Sequence, residues 1–398
     1  MINKSIYSII MWYDGVIILD MIGVSVMQNP FLNRVDDPNK SDYLTSVCSI
    51  NRIRLRKLPL YGIDDSIEGL TVKEFFSTKL VIEEIKKYHK ELEIDLGKYE
   101  EKKLPKVLSK RLDSKKELIV QTAKNITNKF GRRLGLLFLA LKKGDKENRI
   151  AREDWSDKHW EYWSQISDII LVGGLANGRF GEELKNCVES VFEAARINPY
   201  NIILYDNASD VGVLGCATQL SSTDGVNIVM DFGQTNIKRC YVTKSRGEIT
   251  EIRTLEPYPS KYMDWEMPTQ EEKMRQAKKL HQYLLKAIED TYNTAKTLTN
   301  TEPNSEIVIS IASYTVDGAL NAERSGYAKL CALGKNYAEC LWWELSGRLR
   351  KDVVIKLIHD GTAIALNFSD RKNTVCLSLG SYLGVGFPET KLVWPTFM

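Results

Sequence analysis

The stretch DFGQTNIK, residues 231–238, decides how the rest of this 398-residue sequence is interpreted. It follows an apolar run that predicts a buried strand. Asp231 at the end of such a strand can hold Mg²⁺ through water, and Gly233 lets the backbone approach a phosphate because no Cβ intervenes. Thr235 and Lys238 add a hydroxyl group and a positive charge. The segment therefore predicts a phosphate–magnesium site; the simpler alternative is that its Asp caps a turn.

A second segment, near the C-terminus, repeats this plan. In NTVCLSLG, residues 373–380, an apolar strand again ends at a glycine, and a return strand follows through Val385 and Phe387. A third glycine turn, Gly173-Gly174, closes the apolar strand at residues 169–172. Such turns bring main-chain N–H groups within hydrogen-bonding distance of an anion. Two hairpins and one strand–helix turn predict a nucleotide held between two related lobes.

Around these turns the chain alternates between strands and helices, which indicates an α/β fold. Helical periodicity runs from about residue 72 to residue 145, whereas residues 1–60 are expected to be strand-like. Within that region, the turn Asp14-Gly15 predicts a hairpin. The length allows two or three folding units, at about 150 residues per domain.

The composition excludes several classes of protein. A net charge of +3 is too small to predict the basic surface that a nucleic-acid-binding protein usually has. Asp14 and Asp20 interrupt the apolar N-terminal run before it reaches the ~20 residues that a membrane-spanning helix needs. The seven cysteines include no CxxC pair and the histidines number four, so no zinc-site spacing exists. Reduced thiols in a cytoplasmic protein are expected.

Residues 231–238 resemble the first phosphate motif, D-x-G-G-T-x-x-K/R, of the superfamily of sugar kinases, actin and heat-shock chaperone ATPases. Within it, the hexokinase-like and ROK-type sugar kinases look closest. The matching residues are Asp231, Gly233, Thr235 and Lys238, and Gln234 stands where the second Gly usually is. The resemblance implies a two-lobed, ribonuclease-H-like fold of the actin-like ATPase type, with ATP and Mg²⁺ in the cleft between the lobes. It also implies that Asp231 holds the Mg²⁺ through water.

Two further blocks fit the same superfamily. The segment IKLIHDGTAIAL, residues 355–366, resembles the strand–turn–helix N-D-A-x-A-A-x. This implies that Asp360 is the general base for the attacking sugar hydroxyl, with His359 replacing the usual Asn beside the substrate. The alternatives are that Asp360 caps the helix and that His359 fills the turn. The second block, LSLGSYLGVG, resembles the second phosphate motif G-T-G-x-G-x-G, and the matching residues are Gly380, Ser381, Gly384 and Gly386.

The adenosine motif of these kinases has a counterpart in ILVGGL, residues 170–175, followed by GCA at residues 215–217. The resemblance implies that Gly173 and Gly174 lie beside the nucleotide. SIASYTVDG, residues 310–318, occupies the place of the loop over the sugar. Asp317 in this loop is the candidate for the carboxylate that grips the sugar.

The order of these blocks departs from the superfamily, where the adenosine motif comes last. Here it comes first, which predicts a circular permutation with Met1 and Met398 close together. A tandem or truncated array is the rival interpretation. The expected units are a large lobe at 1–221, with a helical insert at about 72–165 and the adenosine motif at 169–217, a small lobe at 222–370, and a hairpin at 371–398 that completes the large lobe.

The resemblance implies a cytoplasmic sugar kinase that transfers the γ-phosphate of ATP to a hydroxyl of a sugar or amino sugar. We expect no nucleic-acid or membrane partner, and a homodimer stays open. Gln234, Tyr382 and His359 depart from the family pattern, and the first two put bulk where phosphate meets bare backbone. The alternative is therefore a catalytically inactive member that binds a sugar or nucleotide as a sensor or scaffold. An ATPase that uses water as acceptor ranks third.

Overall fold

The computed structural model describes residues 12–13, 16–17, 28–205, 210–264, 266–321 and 325–394. Near the N-terminus, strand β1 (Trp12–Tyr13) pairs antiparallel with strand β2 (Val16–Ile17). The predicted hairpin is thereby confirmed. The expectation that Met1 and Met398 lie close together falls on residues outside the described ranges.

The prediction of strand-like structure up to residue 60 is wrong from residue 28 onward. That part of the chain forms turns, isolated β-bridges and 3₁₀-helices, including Ser46–Cys48 and Ile50–Arg52. Its apolar residues are buried, and its carbonyl groups accept hydrogen bonds from side chains and from scattered backbone N–H groups instead of from one continuous partner strand. Arg152, for example, donates hydrogen bonds to the carbonyl oxygens of Val47 and Ser49. The apolar, β-branched composition therefore reflects burial, not a sheet.

The predicted helical region is confirmed. The helices are α1 (Val72–Phe75), α2 (Thr78–Lys87), α3 (Leu104–Arg111), α4 (Glu117–Lys143), α5 (Lys146–Ile150) and α6 (Asp157–Gln165). The second half of α4 is buried on every side from Leu134 to Leu141. It ends at Gly144, whose φ of 57° lies in the left-handed region that stops a helix.

Two parallel strands follow the helices. The elements are β3 (Asp168–Val172), α7 (Gly178–Ala195), β4 (Asn201–Leu204) and α8 (Val211–Ala217). Strand β3 pairs with β4 in parallel, with Asp168 opposite Asn201. Gly173 leaves β3 with a φ of 93°, and a Cβ there would lie 2.7 Å from the carbonyl oxygen of Leu379. Glycine is therefore required at this turn.

The middle of the chain forms a five-stranded sheet with the order β11-β8-β5-β6-β7. Its elements are β5 (Gly225–Phe232), β6 (Asn236–Ser245), β7 (Glu248–Pro259), α9 (Gln270–Thr299), β8 (Glu306–Ile311), the small hairpin β9 (Thr315–Val316) and β10 (Ala319–Leu320), α10 (Tyr337–Leu349) and β11 (Val354–His359). The first three strands are antiparallel neighbours, whereas β8 pairs in parallel with both β5 and β11.

The C-terminal elements return to the strands of the N-terminal half. They are α11 (Asp360–Leu366), β12 (Thr374–Leu379) and β13 (Leu383–Gly386). Strand β12 pairs antiparallel with β13 and parallel with β3, which gives a four-stranded sheet with the order β13-β12-β3-β4. This sheet therefore joins segments that are about 200 residues apart in the sequence.

The two sheets share one plan. In β6-β5-β8-β11 and in β13-β12-β3-β4, a hairpin lies beside two parallel strands, and a short helix follows the last strand. These two helices, α11 and α8, pack against each other between the sheets. A Cβ at Gly215 would lie 1.6 Å from the carbonyl oxygen of Ala363. The α8–α11 pair therefore fixes how the sheets meet.

The α/β class predicted from the sequence is confirmed. One large core cluster draws on residues 31–202 and 375–387, and a second one on residues 226–357. Among the described helices, none has both the length and the apolar character needed to cross a membrane.

Candidate functional site

Asp231 lies at the carboxyl end of β5 and is only 8% exposed. Its Oδ1 accepts a hydrogen bond of 2.8 Å from Ser310 Oγ, on the neighbouring parallel strand β8. Its Oδ2 accepts one of 2.8 Å from Lys238 Nζ, because Lys238 stands directly opposite on β6. A buried carboxylate is stabilised when such partners satisfy it. The strand register thus brings together two of the predicted phosphate-site residues.

Lys238 is the cation of this pair. Burial disfavours its charged form, but the Asp231 carboxylate outweighs burial and raises the pKa of Lys238 above its ordinary value. The ammonium group is therefore charged at neutral pH. About a third of the side chain, 31%, stays exposed, so the positive charge remains within reach of a ligand.

The turn after β5 is held from several sides. The carbonyl oxygen of Gly233 accepts hydrogen bonds of 2.8 Å from both Tyr327 Oη and Ser260 Oγ. The Gln234 side chain donates to the carbonyl oxygen of Ala312 at 3.2 Å. Within the described chain, the N–H groups of Gln234 and the exposed Thr235 have no protein partner. They are the donors this turn offers to an anion.

The turn after β12 is more exposed. Its Tyr382 side chain is 58% exposed, and Ser381 is also exposed. The carbonyl oxygen of Gly380 accepts a hydrogen bond of 3.0 Å from the N–H of Thr78, at the start of α2. In the described chain the N–H groups of Ser381 and Tyr382 are unpaired. Gly173 contacts the residue before this turn, so the first adenosine-motif glycine and the second phosphate hairpin are neighbours.

Two predicted glycines differ in what they require. A Cβ at Gly384 would lie 2.4 Å from Ser378 Oγ, so Gly384 serves the packing of the β12–β13 hairpin. Gly174 has open space around its Cβ position. Neither observation tests a contact with a nucleotide, and that contact stays a prediction for both residues.

Asp360 is the first residue of α11 and directly follows β11. The turn expected around it is absent because the helix begins at once. Its Oδ1 accepts a hydrogen bond of 2.7 Å from the N–H of Gly361. Burial, reinforced by the negative charge of Asp231, raises the pKa of Asp360 to about 7. A carboxyl group with a pKa near neutral pH has the protonation behaviour that suits a general base.

His359 supplies the cap of this helix. Its Nδ1 accepts a hydrogen bond of 3.2 Å from the N–H of Thr362, so the ring hydrogen resides on Nε2. Nε2 lies 3.2 Å from Asp360 Oδ1. Burial lowers the pKa of His359 to about 3, so the imidazole is neutral. The capping role favours the structural alternative for this residue, while its substrate contact stays a prediction.

Asp317 occupies the exposed turn of the β9–β10 hairpin, with a φ of 46°. It lines a small cavity together with His359 and Thr315. The cavity measures about 20 Å³, which is room for one water molecule and not for a sugar ring. The two predicted substrate residues therefore share a pocket, and a sugar would need that pocket to open.

The second hairpin meets the Asp360 helix directly. A Cβ at Gly386 would lie 1.8 Å from the carbonyl oxygen of Gly361, and one at Gly361 would lie 2.2 Å from that of Val385. At the start of α8, the Cβ position of Gly212 lies 3.3 Å from Asp231 Oδ2. Asp231, Asp360, α8 and the second hairpin thus surround one region between the two sheets.

Three contacts were not predicted from the sequence, although Ser310 and Tyr314 belong to the segment 310–318 that was expected to cover the sugar. Ser310 supports Asp231, Gly212 makes room for it, and the Tyr314 ring stacks on His359 with ring centroids 4.6 Å apart. Ser310 had a detectable signal, because it lies opposite Asp231 near the end of the neighbouring parallel strand. The contacts of Gly212 and Tyr314 depend on tertiary packing, so a local sequence pattern does not predict them.

Asp231 is the residue here that would hold a magnesium ion, although Ser310 and Lys238 already hydrogen-bond its two oxygens. Within the described residues, no group of three or more His, Cys, Asp or Glu side chains forms a metal cage. Mg²⁺ bound with a nucleotide usually takes one or two carboxylates, water and the phosphates themselves. Asp231 provides one buried carboxylate at the edge of the region, and the remaining ligands would come from water and phosphate.

No protein-family model matches this sequence, and no curated protein matches it.

Proposed function

We propose that this protein is an ATP-dependent phosphotransferase of the hexokinase-like or ROK-type sugar kinase kind, in which Asp360 is the general base. The observation that carries the proposal is the position of Asp360. It lies half-buried at the first turn of α11, where burial and the negative charge of Asp231 together raise its pKa to about 7.

The fold supports a cleft between two related lobes. Two sheets of the same plan meet through the α8–α11 pair, and each sends a glycine hairpin toward the Asp231–Asp360 region. The circular permutation is part of the proposal. It is supported by the pairing of β12 with β3 and by contacts of Ser41 and Asp42 with residues 391–393.

The proposed reaction moves one proton and one phosphoryl group. Asp360 accepts the proton of a sugar hydroxyl as its oxygen attacks the γ-phosphorus of ATP. The bond from that phosphorus to the β-phosphate oxygen breaks, and ADP leaves. Lys238 and the unpaired N–H groups of the two turns bind phosphate oxygens. Mg²⁺ held through Asp231 would neutralise phosphate charge when bound.

The sugar is proposed to enter on the side of the loop 310–318. Asp317 and His359 line the cavity there, and the Tyr314 ring covers His359. Closure of the lobes over the sugar would exclude water and so favour transfer over hydrolysis.

A second candidate function rests on Gln234. Its side chain is engaged with the carbonyl oxygen of Ala312, and it fills the position where these kinases have a glycine. Both carboxylate oxygens of Asp231 are also occupied, by Ser310 and Lys238. A site closed in this way favours a catalytically inactive protein that binds a sugar or nucleotide as a sensor or scaffold.

A screen for ADP release separates the two candidates. Purified protein is incubated with ATP and Mg²⁺ over a panel of hexoses and amino sugars, and thermal stability is measured with the same ligands. The kinase proposal expects sugar-dependent ADP release. Stabilisation by ligands without any ADP release would instead support the inactive binder, and ADP release that ignores every sugar would support an ATPase.

A further inference from the structure

A second pocket lies away from the region between the sheets. It is formed by one face of α4 and the loop at residues 63–66, and its volume is about 380 Å³. This volume is within the usual range for small-molecule sites. Its lining comes from neither sheet and from none of the three glycine turns.

The charges of this pocket are unbalanced. Helix α4 contributes Lys129, Arg132 and Arg133, against one carboxylate, that of Asp64. Lys129 pairs with Glu84 at 2.8 Å, and Arg133 Nε pairs with Asp64 at 2.7 Å. Arg132 is exposed and has no ion-pair partner in the part of the chain that the structure describes. One guanidinium group is therefore left for a ligand.

Two amide side chains, those of Asn125 and Asn128, also line the pocket. Asn125 Oδ1 accepts a hydrogen bond of 2.9 Å from Gln121 Nε2, and Asn128 Oδ1 accepts one of 3.3 Å from Cys187 Sγ. Among the described residues, neither NH₂ group donates a hydrogen bond to a protein acceptor, so both are available to a ligand. The Ser66 hydroxyl donates to Asp64 and is used there.

The geometry points to a second anion site here, in which Arg132 and the amides of Asn125 and Asn128 bind the phosphate group of a small phosphorylated metabolite. Positions 125, 128 and 132 follow the three- and four-residue spacing of one helix face, so the three side chains lie on the same side of α4. Phosphate offers several acceptor oxygens and suits a guanidinium fork. A single free cation is too few for nucleic acid, whose binding needs many phosphate contacts.

Equilibrium dialysis with radiolabelled inorganic phosphate tests this site in the full chain. Arg132→Gln should weaken phosphate binding about tenfold or more, since a charge-assisted contact is lost. The matched control is Lys124→Gln, which removes one charge from the same helix outside the pocket; it should bind like the wild type. Lys238→Met should lose only phosphate bound between the sheets and keep the component that Arg132→Gln removes, which separates the pocket from the region between the sheets.

Three results would overturn the assignment. They are phosphate binding that Arg132→Gln leaves unchanged, an equal loss in Lys124→Gln, and no saturable binding by the wild type. Circular dichroism of each variant verifies that a loss of binding is not a loss of fold. The outcome does not depend on the proposed phosphotransferase activity.

Discussion

The two glycine hairpins have the same backbone plan and opposite character. The first, β5–β6, carries the buried Asp231–Lys238 pair, and its turn is tied down by Tyr327, Ser260 and the Gln234 side chain. The second, β12–β13, has an exposed turn, with Tyr382 58% exposed. Gly386, at the end of β13, nevertheless packs closely against Gly361 of α11, the helix that Asp360 begins.

This difference indicates that the two hairpins contribute differently to the region between the sheets. The first hairpin supplies charge, and neighbouring side chains hold its turn. The second supplies bare backbone, and it fixes the start of α11 through the contact of Gly386 with Gly361. We therefore expect mutations in the two hairpins to differ in kind, with packing effects in the second and electrostatic effects in the first.

The largest effect is expected at the base of the second hairpin. Gly386→Ala should destabilise the protein by about 3 kcal/mol, because the new Cβ would lie 1.8 Å from a backbone oxygen. Gly233→Ala in the first hairpin should cost about 1 kcal/mol, since its Cβ would lie 3.0 Å from the Asn236 oxygen. Urea unfolding followed by tryptophan fluorescence measures both. Gly174→Ala, in open space, is the control, and equal costs for Gly386 and Gly233 would contradict the comparison.

The next effect belongs to the charged pair. Lys238→Met should cost about 2 kcal/mol, because it leaves the Asp231 carboxylate, 11% exposed, without its cation. Adding Asp231→Asn should recover most of that loss in a double-mutant cycle. Ser381→Ala in the exposed second turn should change stability by less than about 0.5 kcal/mol. Additive single and double mutants would mean that the pair is not coupled.

Asp360 links the hairpins and should show itself in the pH dependence of stability. Its pKa rises from 3.8 to about 7 on folding, so the folded state favours the protonated carboxyl group. Stability due to this group is therefore present at acid pH and is lost as the pH rises through about 7.

Asp360→Asn removes this dependence. Above pH 7, the free energy of unfolding of the variant should exceed that of the wild type by about 1–2 kcal/mol, and this difference should disappear towards pH 4. The figure is reduced for solvent screening because the Asp360 side chain is 31% exposed. Unfolding free energies at several pH values measure the difference. A constant difference between the two proteins over this range would show that burial does not tune Asp360.

The smallest effects are expected at the turn tips. Gln234→Ala should cost about 1 kcal/mol through the hydrogen bond to Ala312, whereas Tyr382→Ala should cost less than about 0.5 kcal/mol. The same unfolding assay applies to both. A larger cost for Tyr382 would mean that the second turn is held by contacts as strongly as the first.

Much of this architecture could be predicted from the sequence because it is local. Strands ending at glycines, and the helical periodicity after residue 72, gave the α/β class and the two hairpins. Asp231 and Lys238 face each other because the hairpin register puts them there. Local patterns gave a wrong prediction for residues 28–60, because buried apolar side chains in turns and 3₁₀-helices produce the same composition as a strand.

What could not be predicted depends on partners distant in the chain. His359 caps α11, so Asp360 starts the helix instead of preceding it. The contact of Gln234 with Ala312 spans 78 residues, and that of Gly215 with Ala363 joins two helices from different sheets. Such contacts are set by how the sheets pack, which no local pattern encodes.

The central claim is that Asp360 is the base in a nucleotide site formed by both hairpins. The most direct test is the turnover of Asp360→Ala on the best sugar of the screen, together with its ATP–Mg²⁺ affinity by calorimetry. Turnover should fall at least ~100-fold while the ATP dissociation constant stays within about threefold of the wild type. Unchanged turnover, or a parallel loss of nucleotide binding, would contradict that role for Asp360.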